Sequence, residues 1–277
     1  MVFYIEKQAK LWYSKTMNTE MKLTYNGISF LRSNSPSIAE REIHTYHEIL
    51  FCMDARAVLF TEKQQIKVQG DVLLLIPKGT YHLFSVESRE RFPRLKIYFP
   101  ADVLDSTPCR EVLSDFRIID NIDGNILLLL KKLCRIMEEG SIHKQGFYAY
   151  SAFLMLLSEL DQSLSKTHKQ ETATANELDE LLKYIAENPS ADLSVAALAN
   201  KLHASASTVT HLFKKTLGIS VHRYVTQRRL VYGQSLILAG HKPSKIYGDC
   251  GYGDYSSFYK AYIQFFGYSP SSEGKEI

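Results

Sequence analysis

The sequence predicts an α+β protein of two domains: a small β-sandwich or barrel followed by helices, then an all-α domain with two helix-turn-helix units joined by one linker helix. Three observations predict it. Residues from about 20 to 100 are short apolar or alternating runs punctuated by turn residues, the strand signature. Residues 193–270 instead repeat apolar positions at i, i+3, i+4 and i+7, twice over. Between them Ser165–Asn176, SKTHKQETATAN, is polar and without period, a linker. A chain of 277 residues accommodates two domains, expected at 1–165 and 177–277 with 166–176 between them.

The strand-like runs are Ile49–Met53, Ala57–Phe60, Gln65–Val68, Val72–Ile76 and Arg94–Phe99. Residues 123 to 164 read as helix. Ile126–Leu130, Leu133, Ile136 and Met137 make one amphipathic stretch, and Phe147, Tyr148, Phe153, Leu154, Leu156, Leu157 and Leu160 a second. A helix so apolar around its girth is expected to be buried, against its own barrel or a second copy.

After the linker, Glu177–Asn188 opens the C-terminal domain with Leu178, Leu181, Leu182 and Ile185 inward and Pro189 beyond its end. Ser194 is a suitable N-cap, followed by the stripe Val195, Leu198, Ala199 and Leu202. His203-Ala204 breaks the pattern, and Ser205 or Ser207 can cap the next helix, with Val209, Leu212 and Phe213 inward and Gly218 as its stop. Val221–Leu238 is one connecting helix. Gly240, Pro243 and Ser244 then mark a stop, a turn and a new cap. Ile246 and Cys250 face inward, Gly251 permits a left-handed turn, and Phe258, Ala261, Tyr262 and Phe265 form the last inward stripe.

The outward faces of the second helix in each unit are polar and partly cationic, as expected of side chains presented to base edges and phosphates. The candidate DNA contacts are Ser205, Ser207, Thr208, Thr210, His211, Lys214 and Lys215 in the first unit, and Tyr255, Ser256, Tyr259 and Lys260 in the second. Ser207 and Thr210 are short enough to read a base directly or through water. Tyr255 and Tyr259 either stack on thymine methyls and sugars or merely cover the surface. Net charge is only +3, but residues 200–263 hold nine Lys/Arg against two acids, a local +7 that suits phosphate neutralisation.

These residues carry a resemblance. LSVAALANKL, the SxSxVTHLFKK block, GISVHRYVTQRRL and KIYGDCGYGDYSSFYKAYIQFFGYSP resemble the DNA-binding domain of the AraC/XylS family of transcription regulators. The resemblance implies a sequence-specific DNA-binding regulator, more often an activator than a repressor. It also implies promoter DNA and RNA polymerase as partners, a small-molecule effector or dimer state as the signal, and a homodimer formed by the helices after the barrel. The second unit departs from the family pattern at Gly233, Tyr247, Gly248, Tyr262-Ile263 and Lys275, which points to the first recognition helix as the main reader.

Two N-terminal patterns extend the likeness. His44-Thr-Tyr-His47-Glu48, and Gly70-Asp71 leading to Pro77-Lys-Gly79-Thr-Tyr81-His82, resemble a cupin-like sensing domain. His44, His47, Glu48, Tyr81 and His82 are therefore the candidate effector-pocket residues. Cupin enzymes hold a metal with such residues, but the HxxH spacing puts two strand histidines on opposite faces, so no metal and no cofactor is expected. The histidines then line a pocket or sit satisfied at strand ends. Cys52, Cys109, Cys134 and Cys250 show no metal or disulfide spacing and suit a reducing cytoplasm. The first residues lack the apolar core of a secretory signal, and Ile126–Leu130 is too short to cross a membrane. A ligand-independent DNA-binding dimer and a cupin-type metalloenzyme are the alternative readings.

Overall fold

The computed structural model describes residues 20–35, 43–86, 92–138, 142–165 and 177–273. The expected linker and Lys275 lie outside them. Among the described residues the N-terminal domain holds seven strands: β1 (Met21–Tyr25), β2 (Ile28–Ser33), β3 (His47–Thr61), β4 (Gln65–Ile76), β5 (His82–Val86), β6 (Arg94–Phe99) and β7 (Arg117–Ile119). All pairings are antiparallel, in the order β1-β2-β6-β3-β4-β7, with β5 joined to β3.

The run expected as Ile49–Met53 and Ala57–Phe60 is one long strand, and so is the run expected as Gln65–Val68 and Val72–Ile76. The apparent gaps are a β-bulge. Register shifts between Cys52 and Ala55, Asp54 sits at φ +47° and Gly70 at φ +84°, and the Asp54 amide donates to Asp71 Oδ1 at 3.0 Å. Such a bulge bends the strand. Before it, His47–Cys52 pairs with β6; after it, Ala57–Thr61 pairs with β5, so β3 turns the corner of the barrel.

Strand parity then sorts the side chains. Ile49, Phe51, Leu73, Leu75, Leu95 and Ile97 face outward onto two helices, α2 (Gly124–Glu138) and α3 (Ile142–Ser165), reached through the single turn α1 (Asp102–Asp105). Leu50, Cys52, Val72, Leu74 and Ile76 face the barrel interior with Phe84 and Phe92. Burial on both faces is why these strands read as continuous apolar runs. Phe153 of α3 seals the outer layer, edge-on to Phe30 and Phe99 at 6.3 and 5.0 Å. One part of α3 departs from expectation: Phe147 and Tyr148 are exposed, because the side of the helix bearing Ala149, Phe153, Leu156 and Leu160 is the one against the barrel.

The C-terminal domain comprises α4 (Glu177–Glu187), α5 (Val195–Lys201), α6 (Ala206–Leu217), α7 (Val221–Leu238), α8 (Pro243–Ile246) and α9 (Tyr255–Phe266). Ser194 caps α5 as the sequence suggests, and of the two candidates Ser205 and Ser207 it is Ser205 that caps α6. Ser220, which the sequence reading did not single out, caps α7, the three hydroxyls accepting the amides of Ala197, Thr208 and Arg223. Asp254 caps α9. Ser244 does not cap α8: Lys242 holds that position and Pro243 opens the helix. The helix ends at Ile246, before Gly248, so that glycine is no burden on it. Gly251 is left-handed at φ +74°, and a Cβ there would fall 2.7 Å from the Arg229 guanidinium.

Candidate DNA-reading surface and effector pocket

The α6 face expected to read DNA is in the open. Ser207, Thr208, Thr210, His211, Lys214 and Lys215 are exposed, while Val209, Phe213 and Leu217 are buried beneath them. Some of these groups are already engaged. The Ser205 hydroxyl holds the cap and pairs with the Thr208 hydroxyl at 2.8 Å. Thr210 donates to the Ala206 carbonyl at 2.9 Å, and Lys214 donates to the Gly218 carbonyl at 3.1 Å. On α9, Ser256 and Lys260 are exposed and Tyr255 and Tyr259 half-buried, their rings 5.8 Å apart. Tyr255 also leans on Phe258, so it is part of the helix's own packing.

Two of the nine cations in the basic segment are structural. Arg229 donates to the carbonyls of Pro189 and Ala191 at 2.9 and 3.0 Å, tying α7 to the turn after α4. Arg228 reaches across to the turns at one end of the barrel. It pairs with Glu62 at the β3–β4 turn, and donates to the Gly79 carbonyl at 2.8 Å and the Tyr224 hydroxyl at 2.9 Å. Tyr224 in turn donates to Glu62 at 2.7 Å. Thr45 donates to Gln234 Oε1 at 2.9 Å. Barrel and C-terminal helices thus share a core in which Ile43 and Tyr81 pack with residues of α4, α6 and α7.

Between the two domains lies a cavity of about 1040 Å³. The barrel contributes Ser29, His44, Glu48, Arg94, Lys96 and Tyr98; α7 and α9 contribute His222, Gln227, Gln234 and Phe265. Parity explains the barrel's share: Arg94, Lys96 and Tyr98 alternate with Leu95 and Ile97, which face the helices. Burial pushes the Lys96 ammonium down to about 7 and lowers Arg94, whose guanidinium donates to the carbonyls of Ser35 and Phe92.

Three of the five expected pocket residues, His44, Glu48 and His82, line this cavity and meet there. His44 Nε2 lies 2.9 Å and His82 Nε2 3.3 Å from Glu48 Oε2. Burial alone would raise the Glu48 carboxyl, but its hydrogen bonds with His44 and His82 hold it at about 2, so it is an anion. Burial lowers His44. His47 and Tyr81 are not in the cavity. His47 has the opposite strand parity: its ring lies against Phe99 and its Nδ1 accepts the Lys78 amide at 3.3 Å. Burial and Lys78 push it down to about 4. Tyr81 is wholly buried at the domain junction, donating to the Leu217 carbonyl.

The sequence reading missed Arg94, Lys96 and the entire helical wall of the cavity. The first two had a signal, since cations alternating with apolar residues on a strand mark a polar barrel interior.

Residues 29–157 match the model of an AraC-like ligand binding domain, and residues 198–275 that of a helix-turn-helix domain. A probable transcriptional regulator, LumQ of Photobacterium leiognathi, is 35% identical over 229 residues, covering 82% of this chain and 89% of that protein. The chain belongs to the AraC/XylS family of transcription regulators. The Msm operon regulatory protein of Streptococcus mutans is 31% identical over 126 residues, 44% of this chain and 45% of that one. Apo ToxT from Vibrio cholerae is similar at a TM-score of 0.45 and 12% identity, over 90% of this chain and 97% of that one. As an AraC/XylS member, the chain couples a ligand-binding domain to a helix-turn-helix DNA-binding domain. Among the described residues no helix is long and apolar enough to cross a membrane.

Proposed function

We propose that this AraC/XylS regulator reads promoter DNA through α6 and α9, and that a small molecule in the interdomain cavity sets its output. The observation that carries this reading is the cavity's double wall. A ligand there touches the barrel and α7 and α9 together, so its affinity depends on how the domains dock. Such differential affinity is what a ligand needs to shift a conformational equilibrium. Lys96, Arg94 and the histidines favour an effector with an anionic group and an apolar body.

A homodimer forms through the outer face of α3. Phe147, Tyr148, Leu154 and Met155 recur there at i, i+1, i+7 and i+8 and are all exposed, Phe147 by 56% and Met155 by 55%. The dimer activates transcription through RNA polymerase, and the protein works in the cytoplasm. Its role is binding rather than catalysis.

The test is genome-wide DNA occupancy in cells, comparing wild type with His211→Ala. Discrete promoter peaks that shrink in the variant are expected. Featureless occupancy in both would overturn the reading.

A further inference from the structure

We propose that His44, Glu48 and His82 form a binding site for one divalent transition-metal ion on the floor of the interdomain cavity. The three donors come from separate places: the loop before β3, the second residue of β3, and the first residue of β5. One ligand atom from each falls within 4.8 Å of the others, and all three residues are buried.

Proton accounting carries the inference. His44 Nδ1 lies 2.8 Å from the Tyr46 carbonyl, and His82 Nδ1 lies 3.3 Å from the Thr80 carbonyl. A carbonyl only accepts, so each Nδ1 carries the ring's proton. In a neutral imidazole that leaves Nε2 as a lone pair. Both Nε2 atoms then point at the Glu48 carboxylate, which also only accepts. With both rings neutral, three acceptors converge with no donor between them, so these close contacts require a positive charge at the cluster, carried by a proton on one imidazole or by a metal ion. Backbone carbonyls that fix the histidine tautomer and aim Nε2 are the usual outer partners of metal-bound imidazoles.

A second observation is independent of the first. Glu48 Oε1 is buried and has no hydrogen-bond partner among the described residues. A carboxylate in that state is costly, and a cation at the cluster would satisfy it. Two imidazoles and one carboxylate suit zinc, iron, cobalt or nickel rather than calcium or magnesium. All three residues line the cavity, so the ion has an entry path and positions left for water or a ligand. His47, turned to the other face, takes no part.

The inference goes beyond the effector reading and is measured without DNA or effector. Untagged full-length protein, stripped with chelator, is titrated with Co²⁺ and Zn²⁺ by calorimetry, and visible Co²⁺ bands and bound metal per chain are recorded. One equivalent is expected in wild type. His82→Gln, at the cavity edge, should fold normally by circular dichroism and lose at least about 100-fold in affinity, the upper end of what loss of a mere outer partner costs. His47→Gln should bind as wild type does. No stoichiometric uptake by wild type would show that a proton, not a metal, holds the cluster together, and would overturn the proposal. So would undiminished binding by folded His82→Gln.

Discussion

Gly233→Ala separates helix propensity from packing, because the two predict opposite signs. Position 233 is in the interior of α7, where alanine is favoured over glycine by about 1 kcal/mol. On that ground the substitution should stabilise. The structure says otherwise. A Cβ at 233 would lie 2.9 Å from Phe258 Cε2 and 3.0 Å from Cys250 Sγ. Both neighbours are fully buried in the core that joins α7, α8 and α9, and neither can swing into solvent. Forcing a methyl into such a site costs about 1–3 kcal/mol. The net expectation is destabilisation centred on about 1 kcal/mol after the propensity gain is subtracted. For a unit of roughly 100 residues this lowers Tm by about 4–8 °C. Calorimetry on the full chain would read it as a shift confined to the DNA-binding unit. Phe258→Leu supplies the second edge of a cycle, since the smaller side chain relieves the contact. A coupling of at least about 0.5 kcal/mol is expected between the two sites. A raised midpoint in Gly233→Ala, or strict additivity with Phe258→Leu, would refute the packing argument.

Other predictions follow from the junction, the cavity and the cap. Arg228→Met removes the bonds to Glu62, Tyr224 and Gly79 at once; with Glu62 partly hydrated, docking should weaken by about 2–3 kcal/mol. Faster amide hydrogen exchange in β5 and the β3–β4 turn is the readout, and unchanged exchange would show that the network contributes nothing. Lys96, ordinarily near 10.5, sits at about 7 when folded. The unfolded chain therefore binds more protons between about pH 7 and 10, and stability should rise with pH across that window. Lys96→Met should flatten the rise in urea midpoint, and an identical slope in both proteins would show that burial does not depress the Lys96 ammonium. Ser205→Ala deletes the α6 cap and should cost about 1 kcal/mol, weakening binding to specific and random DNA alike. A loss confined to one operator base pair would instead make Ser205 a reader.

The C-terminal domain was legible because its signals are local. Caps, glycine stops and 3.6-residue stripes lie within one helix or its flanking turn, so Ser194, Gly218 and Gly251 could be placed from sequence alone and the α6 cap narrowed to Ser205 or Ser207. The exceptions were tertiary. Gly233 reads as a cost in sequence because Phe258, 25 positions away in the chain, is invisible there. Arg228 counts toward the basic segment in sequence because its partner Glu62 lies 166 residues upstream. In the barrel, the bulge at Cys52–Ala55 broke two long strands into four apparent ones. Parity nevertheless separated His47 from the cavity. Placing both His44 and His47 in the pocket ignored that same alternation, and the meeting of His44 with Glu48 and His82 was not legible because it joins the loop before β3 to the start of β5.

The docking geometry bears on how a signal could pass. The barrel grips α7 through Arg228 and Gln234, and the end of α6 through the Leu217 carbonyl. It does so without covering the outward faces of α6 or α9, where Ser207, His211, Lys215, Ser256 and Lys260 remain exposed. Control by simple masking of the reading surface therefore has no support in this arrangement. What the barrel does hold is the connecting helix that fixes one recognition unit relative to the other. On the proposed reading, a ligand filling the cavity would rest on that same helix, whose Gln227 and Gln234 line it. Its leverage would then be on the relation between the two helix-turn-helix units, which on that reading must match successive stretches of groove to bind together. On this argument an effector changes affinity most for sites that engage both units, and least for sites read by α6 alone.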